Sequence, residues 1–346
     1  MMAGEGDDVT KRVKLADVAK LSGVSTTTVS MVLNDRPNTR LSEETAERVR
    51  AAAAQLNYRP NPAARGLRVG KTATVGFVSD EVTVTRYASA MIRGLLDVAE
   101  QRQHTVLIAE SGNRPDQVAQ ALDAMLDRRA DGIVFGLMGA KRITVPEVPS
   151  DVPVVLLNAV STDGRPCVLP DEYRAGQEAA RSLLDRGHRR IALIGRSAAL
   201  LNPEVSATVG ARYAGIDQAL AQFGVSLVGE VEGMYWEPDL GFTGVHELLD
   251  ARVPFTGLIC LNDRVAFGAY QALQERGLKV PQDVSVVSFD DEDLASYLRP
   301  TLTTMRIPYL EMGRRAMELV LSDERPARSL IPVSYTHLTL PTNREG

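Results

Sequence analysis

Cysteine is scarce in this chain of 346 residues: Cys167 and Cys260 are far apart, and both fall in apolar, strand-like runs. That excludes a disulfide scaffold and favours buried free thiols in a reducing, cytoplasmic compartment. Long apolar runs are missing too. None approaches the roughly 18 residues a membrane helix needs, and the opening MMAGEGDDVTKR lacks the apolar stretch of a secretory signal. The histidines, His104, His188, His246 and His337, are scattered without metal-ligand spacing. His188, in a helix-to-strand turn, reads as structural. No GxxxxGK[ST] loop and no GxGxxG after a strand is present. We therefore expect no enzyme, no metal and no cofactor. Net positive charge is also missing, since the chain carries a formal −5.

The charge is unevenly placed. Residues 11–71 hold 12 Lys and Arg against 5 Asp and Glu, while the rest holds 27 against 39. A basic end on an acidic protein is the pattern expected if that end alone meets phosphates. With 44% hydrophobic and 24% charged residues the composition is that of a globular protein, and the length calls for more than one domain.

Within the basic end, Leu15 to Asn34 has the grammar of a helix-turn-helix. LADVAK is a short amphipathic helix with Leu15, Val18 and Ala19 on one face. Gly23 supplies the corner, and Ser25 caps a second helix, TTTVSMVLN, whose Val29, Val32 and Leu33 face inward. Its outward residues, Thr26, Thr27 and Ser30, suit a major groove. Their hydroxyls can bond base edges and the Thr methyls can meet thymine methyls. A third helix starts at the Ser42 cap and runs to about Leu56. Tyr58 packs back, and Pro60 and Pro62 stop it. Pro62–Val69 is a short helical pattern weakened by Gly66.

From Ala73 the texture becomes strands alternating with helices. Strands are expected at 75–79, 105–110, 132–136 and 152–158, then at 190–195, 256–262, 283–290 and 303–308. Helices are expected near 88–103, 116–129, 174–186, 209–223, 240–249, 263–276 and 309–322. Such alternation implies parallel sheets flanked by helices, here as two series and so two lobes with a cleft between them.

ADVAKLSGVSTTTVSMVLN, NYRPNPAARGL, RGHRRIALIG, ICLNDRVAFGAYQAL and VPQDVSVVSFDD together resemble the LacI/GalR family of bacterial transcription regulators, over roughly Lys14 to Val333. The resemblance implies an all-α helix-turn-helix headpiece, a hinge helix, and an α/β core of two doubly wound lobes like a periplasmic binding protein. It implies a homodimer that binds double-stranded operator DNA and answers to a small-molecule effector. The expected organisation is an N-terminal extension at 1–12, a headpiece at 13–59, a hinge at 60–72, the core at 73–333 and a tail at 334–346. That tail, SYTHLTLPTNREG, resembles translated adaptor or vector sequence, so the native last strand is expected to be missing or imperfectly replaced. No leucine heptad follows, which leaves a dimer as the expectation.

The same resemblance assigns residues. Thr26, Thr27, Ser30 and Met31 take the base-reading positions. Lys14, Asn34, Arg36 and Arg40 are candidates for phosphate contacts, which position a helix without reading sequence. Leu67 matches the hinge leucine that wedges into the minor groove, with Arg65 and Arg68 beside the backbone. For the effector, Tyr87, Ser206, Arg212, Trp236, Asn262, Asp263 and Asp290 match cleft positions. Asp and Asn suit vicinal hydroxyls, Arg can fork onto two oxygens, and a tryptophan ring can stack on a sugar face. Asp290 and Arg212 are expected on opposite sides of the cleft. Purine-binding members have Arg at the place of Ser206 and a further ring at the place of Ala88, so both departures favour a carbohydrate-like ligand. The readings weighed against a regulator are a solute-binding protein of a sugar transport system, which shares the core fold, and a Rossmann-type enzyme.

Overall fold

The computed structural model describes residues 13–34, 41–59, 70–83, 86–112 and 114–336. The chain divides into two compact units, Met1–Thr72 and Ala73–Gly346.

In the first unit, α1 (Leu15–Ser22), α2 (Thr26–Leu33) and α3 (Glu43–Gln55) enclose a small core. Local chemistry fixes the ends. The Asp17 carboxylate accepts the Lys14 backbone N–H at 2.8 Å. Gly23 ends α1 with φ of 69°, where a side chain would be strained. Ser25 and Ser42 cap α2 and α3 by accepting from the N–H groups of Thr28 and Thr45. The helical period then turns Val18, Val29, Val32, Val49 and Ala52 inward, with Leu15, Leu33 and Tyr58 packed against them.

The second unit contains two six-stranded sheets. Lobe 1 is built on β1 (Thr74–Ser79), β2 (Thr105–Glu110), β3 (Gly132–Ile143), β4 (Val154–Ser161), β5 (Cys167–Pro170) and β11 (Arg328–Ile331), in the order β11-β5-β4-β3-β1-β2. Lobe 2 is built on β6 (Ile191–Arg196), β7 (Gly229–Glu232), β8 (Gly257–Cys260), β9 (Ser285–Phe289), β10 (Thr303–Arg306) and β12 (Ser334–Thr336), in the order β12-β10-β9-β8-β6-β7. All pairings are parallel except β10 with β12. The central strands are buried along most of their length, as strands covered on both faces must be.

The helices are α4 (Arg86–Gln101), α5 (Pro115–Asp127), α6 (Glu172–Leu184), α7 (Val209–Gln222), α8 (Pro238–Asp250), α9 (Asp263–Glu275), the short α10 (Asp293–Tyr297) and α11 (Tyr309–Val320). The chain passes between the sheets after β5, β10 and β11, so three connections tie the lobes together, the first through α6 and the second through α11. An apolar cluster runs through both lobes, from Phe77 and Leu157 to Leu193 and Phe289, bridged by Met312 of α11 and Leu183 of α6. Three helix pairs approach closely through reciprocal glycines. A methyl on Gly176 would strike the Arg212 carbonyl and one on Gly215 the Tyr173 carbonyl; Gly94 with Gly313 and Gly241 with Gly268 do the same for α4 with α11 and α8 with α9.

The strands and helices expected from Ala73 onward all form, with ends shifted by a few residues, and β3 runs on to Ile143, well past Gly136; the helical stretch expected at Pro62–Val69 lies outside the described residues. Sequence periodicity did not single out β7, β11, β12 or α10, and for β5 it marked only an apolar, strand-like run at Cys167. They are short, and β7 and β11 are largely polar or exposed. The tail contributes a strand of its own: Ser334–Thr336 pairs with Thr304–Arg306. A sheet edge needs backbone donors and acceptors there rather than a specified sequence. Cys167 and Cys260 are free and buried, as expected. His188 is buried with its Nδ1 3.1 Å from the Thr256 hydroxyl, tying the turn before β6 to the one before β8.

Candidate DNA interface and effector cleft

On the first unit, Thr26 and Thr27 are exposed on the first turn of α2 and Lys14 is exposed before α1. Ser30 and Met31 are half-buried. Asn34 is committed locally, since its Nδ2 donates to the Ser30 carbonyl at 2.6 Å and closes the end of α2. Arg36, Arg40, Arg65, Leu67 and Arg68 lie outside the described residues.

Between the lobes is a cavity of about 480 Å³. Tyr87 of α4 enters it from lobe 1, and Trp236, Asn262, Arg264 and Glu292 line it from lobe 2. A second cavity of about 410 Å³ shares Tyr87 and Glu292 with the first and adds Asp290, Arg306 and Tyr309. The Tyr87 hydroxyl is the hub. It donates to Glu292 at 2.6 Å and lies 3.2 Å from Asp290 Oδ2, while its ring packs on Tyr309 with centroids 5.0 Å apart. Burial, and then the Asp290 charge, holds the Tyr87 phenol well above its ordinary value, so it is a donor at all working pH.

Arg212 is enclosed beneath this surface. It forks onto Glu172, with Nε to Oε2 at 2.7 Å and Nη2 to Oε1 at 2.8 Å, and its Nη1 donates to the Leu261 carbonyl at 2.7 Å. Its guanidinium stacks 4.2 Å above the Phe289 ring and 5.5 Å from Trp236. Burial works against that charge, but Glu172 outweighs it and raises the pKa. Asp290 takes φ of 106°, an unusual backbone for a residue with a side chain, and its N–H donates to Met305. Burial pushes its carboxyl up to about 6 against the pull of Arg212. The expectation that Asp290 and Arg212 face each other across the cleft is corrected here. Both belong to lobe 2, because α7 and the turn after β9 flank the same sheet.

The remaining candidates separate into two groups. Trp236 and Asn262 line the cavity, but their polar atoms are occupied. Trp236 Nε1 donates to Gly195 at 2.7 Å, Asn262 Nδ2 donates to the Trp236 carbonyl at 2.9 Å, and Asn262 Oδ1 caps α9 by accepting from Val265. Ser206 and Asp263 are not among the lining residues. Ser206 accepts from the Val209 N–H at 3.2 Å. Asp263 is fully buried and accepts from the Ser288 hydroxyl and the Glu292 N–H. Burial, and then Asp290, pushes it up to about 8. Its work is to hold the β9–α10 turn that carries Asp290 and Glu292.

Sequence reading missed Glu172, Arg264, Glu292 and Tyr309. Arg264 and Glu292 stand beside residues it did name, in LNDR and SFDDED. Arg264 pairs with Glu237 at 3.0 Å and with Glu292 at 3.5 Å. Glu172 carried no signal, because its partner is 40 residues away.

Residues 72–339 match the family described as periplasmic binding proteins and sugar binding domain of LacI family, and residues 14–61 match bacterial regulatory proteins, lacI family. The chain belongs to the lacI family of bacterial regulatory proteins. It is 34% identical to catabolite control protein A of Priestia megaterium over 89% of this chain and 91% of that protein. It is 31% identical to the ribose operon repressor of Haemophilus influenzae, over 89% and 90%. In structure it is similar to the lac repressor dimer bound to operator and the anti-inducer ONPF, with a TM-score of 0.73 and 26% identity over 94% of this chain and 98% of that one. These relatives are transcription regulators. Among the described residues, no helix is long and apolar enough to cross a membrane.

Proposed function

We propose that this lacI-family regulator is a cytoplasmic, homodimeric repressor and not an enzyme. It reads a pseudo-palindromic operator with α2 and answers to a small polyhydroxylated, carbohydrate-like effector held between its core lobes. The observation that carries the reading is the pairing, in one chain, of an exposed Thr26–Thr27 helix start with an aromatic and acidic interlobe cavity. A transport protein has no use for the helix-turn-helix.

Thr26 and Thr27 contact base edges, Ser30 and Met31 flank them, and Lys14 holds phosphate. Arg36, Arg40, Arg65, Leu67 and Arg68 complete the phosphate and minor-groove contacts. In the core, Asp290 and Glu292 accept effector hydroxyls in place of the Tyr87 phenol, and Trp236 gives an apolar sugar face a surface to rest on. Arg212, Asp263, Asn262 and Ser206 hold these groups in place. Effector and operator are then linked reciprocally through the two-state core.

Anisotropy titrations on a selected operator and on random DNA test the DNA arm. Thr26→Ala with Thr27→Ala should weaken operator binding by about tenfold or more, at 1–3 kcal/mol per good base contact, and leave random DNA nearly unaffected. Equal loss on both DNAs refutes base reading by these residues. A thermal-shift panel of sugars and nucleosides tests the effector arm, since a ligand at 100 times its Kd adds about 2.7 kcal/mol. A nucleoside hit with no sugar hit would refute the carbohydrate reading.

A further inference from the structure

β3 and β4 are parallel neighbours, yet the chain joins them through residues 144–153, TVPEVPSDVP, without a helix. Parallel neighbours are usually joined by a helix packed on the sheet. Three prolines forbid one here. The thinner coil leaves a cavity of about 480 Å³ between the sheet, α5 and the coil. That is within the range of small-molecule sites.

Every residue lining it belongs to lobe 1, so it is separate from the interlobe cleft. Its walls are apolar, formed by Val78, Phe135 and Leu137 of the sheet, Val118 of α5, and Pro146 of the coil. Its polar end is a built one. Asp80, 4% exposed, accepts from the N–H groups of Glu81 and Met138 at 3.0 Å each and pairs with Lys141 Nζ at 3.3 Å. That pair is internally neutral. Among the residues that line the cavity, exposed Arg142 then adds one positive charge beyond the Asp80–Lys141 pair. An apolar chamber with a cationic mouth suits an organic anion.

The segment that makes this mouth also grips lobe 2. The Ala140 carbonyl accepts the Ala207 N–H at 2.7 Å, and the Arg142 N–H donates to the Pro203 carbonyl at 2.7 Å. We propose that the lobe 1 cavity is a second effector site, for a small carboxylic acid with an aromatic or branched apolar body, and that its occupancy firms the Ala140–Arg142 clasp on lobe 2. The binding stands on the cavity alone. Its regulatory consequence rests on the effector-responsive core proposed above.

Calorimetry on the full chain with benzoate tests it, with benzyl alcohol and benzylamine as neutral and cationic probes of similar size. Benzoate should saturate one site and bind at least tenfold tighter than either control. Arg142→Ala, at an exposed position, should weaken benzoate about fivefold, roughly 1 kcal/mol. Val118→Phe, which fills the chamber, should abolish binding while the melting temperature stays near that of the parent. Absence of saturation, equal affinity for benzyl alcohol, or an Arg142→Ala protein that binds like the parent overturns the site. Hydrogen exchange tests the clasp separately. Saturating benzoate should slow exchange at the Ala207 amide, and unchanged exchange there overturns the coupling. Neither measurement uses DNA or sugar, so failure of the effector reading and failure of this site are distinguishable.

Discussion

Glu172→Gln should be among the most damaging single changes in the core that leave the cleft walls intact. The Glu172 and Arg212 side chains are 6% and 4% exposed, and the carboxylate takes two hydrogen bonds from the guanidinium. Removing one partner of a buried pair leaves the other charge uncompensated, at a cost of about 3–5 kcal/mol. Asp290 also acts on Arg212 and recovers part of that loss, so the low end, about 3 kcal/mol, is the expectation. At about 2–4 °C per kcal/mol for a domain of this order of size, the core should melt roughly 6–12 °C lower. Trp236 is the sole tryptophan and sits beside Arg212, so its emission reports core unfolding without a headpiece signal. The pair is more costly to break than to replace. Glu172→Leu combined with Arg212→Met should therefore recover part of the loss but stay below the parent, because the Leu261 carbonyl and Asp290 also lose the guanidinium. If Glu172→Gln melts within a degree of the parent and the double variant is no more stable than Glu172→Gln, the pair is hydrated and the reasoning fails.

Three further outcomes follow from the geometry. Ser25→Ala should cost the headpiece about 1 kcal/mol in urea unfolding followed by circular dichroism, because the Thr28 N–H loses its acceptor; no change would deny the cap. Gly176→Ala should cost about 1–3 kcal/mol and move α7, which carries Arg212, away from α6; a crystal structure with the helices unmoved and stability unchanged would contradict the close approach. Asp290 binds its proton more tightly in the folded state, up to about pH 6 against an ordinary 3.8, so its contribution to stability falls as pH rises through that window. Asp290→Asn should therefore gain on the parent between pH 4 and pH 6 in urea titrations, and a difference independent of pH would refute the buried charge.

The sequence determined the local structure. Ser25, Gly23 and Ser42 set the helix ends through contacts within four residues, and the apolar periods at Val18, Val29 and Val49 fixed which faces turn inward. The buried runs around Ile191–Ile194 and Leu258–Cys260 announced parallel strands for the same reason: period and length are properties of neighbouring residues. The headpiece surface was legible too, since an exposed Thr26 and Thr27 follow from Val29 and Val32 being inside. What the sequence did not determine is which polar side chains spend their hydrogen bonds on the protein itself. Asn262, Asp263, Ser206 and Arg212 carry ligand-binding chemistry in isolation, yet each is occupied by a backbone group or by a partner such as Glu172 or Ser288. The Tyr87–Glu292–Asp290 hub joins residues about 200 positions apart. Such pairings depend on how two sheets are set against each other, and burial then decides which charges are kept. That placement is tertiary, and only the folded core supplies it.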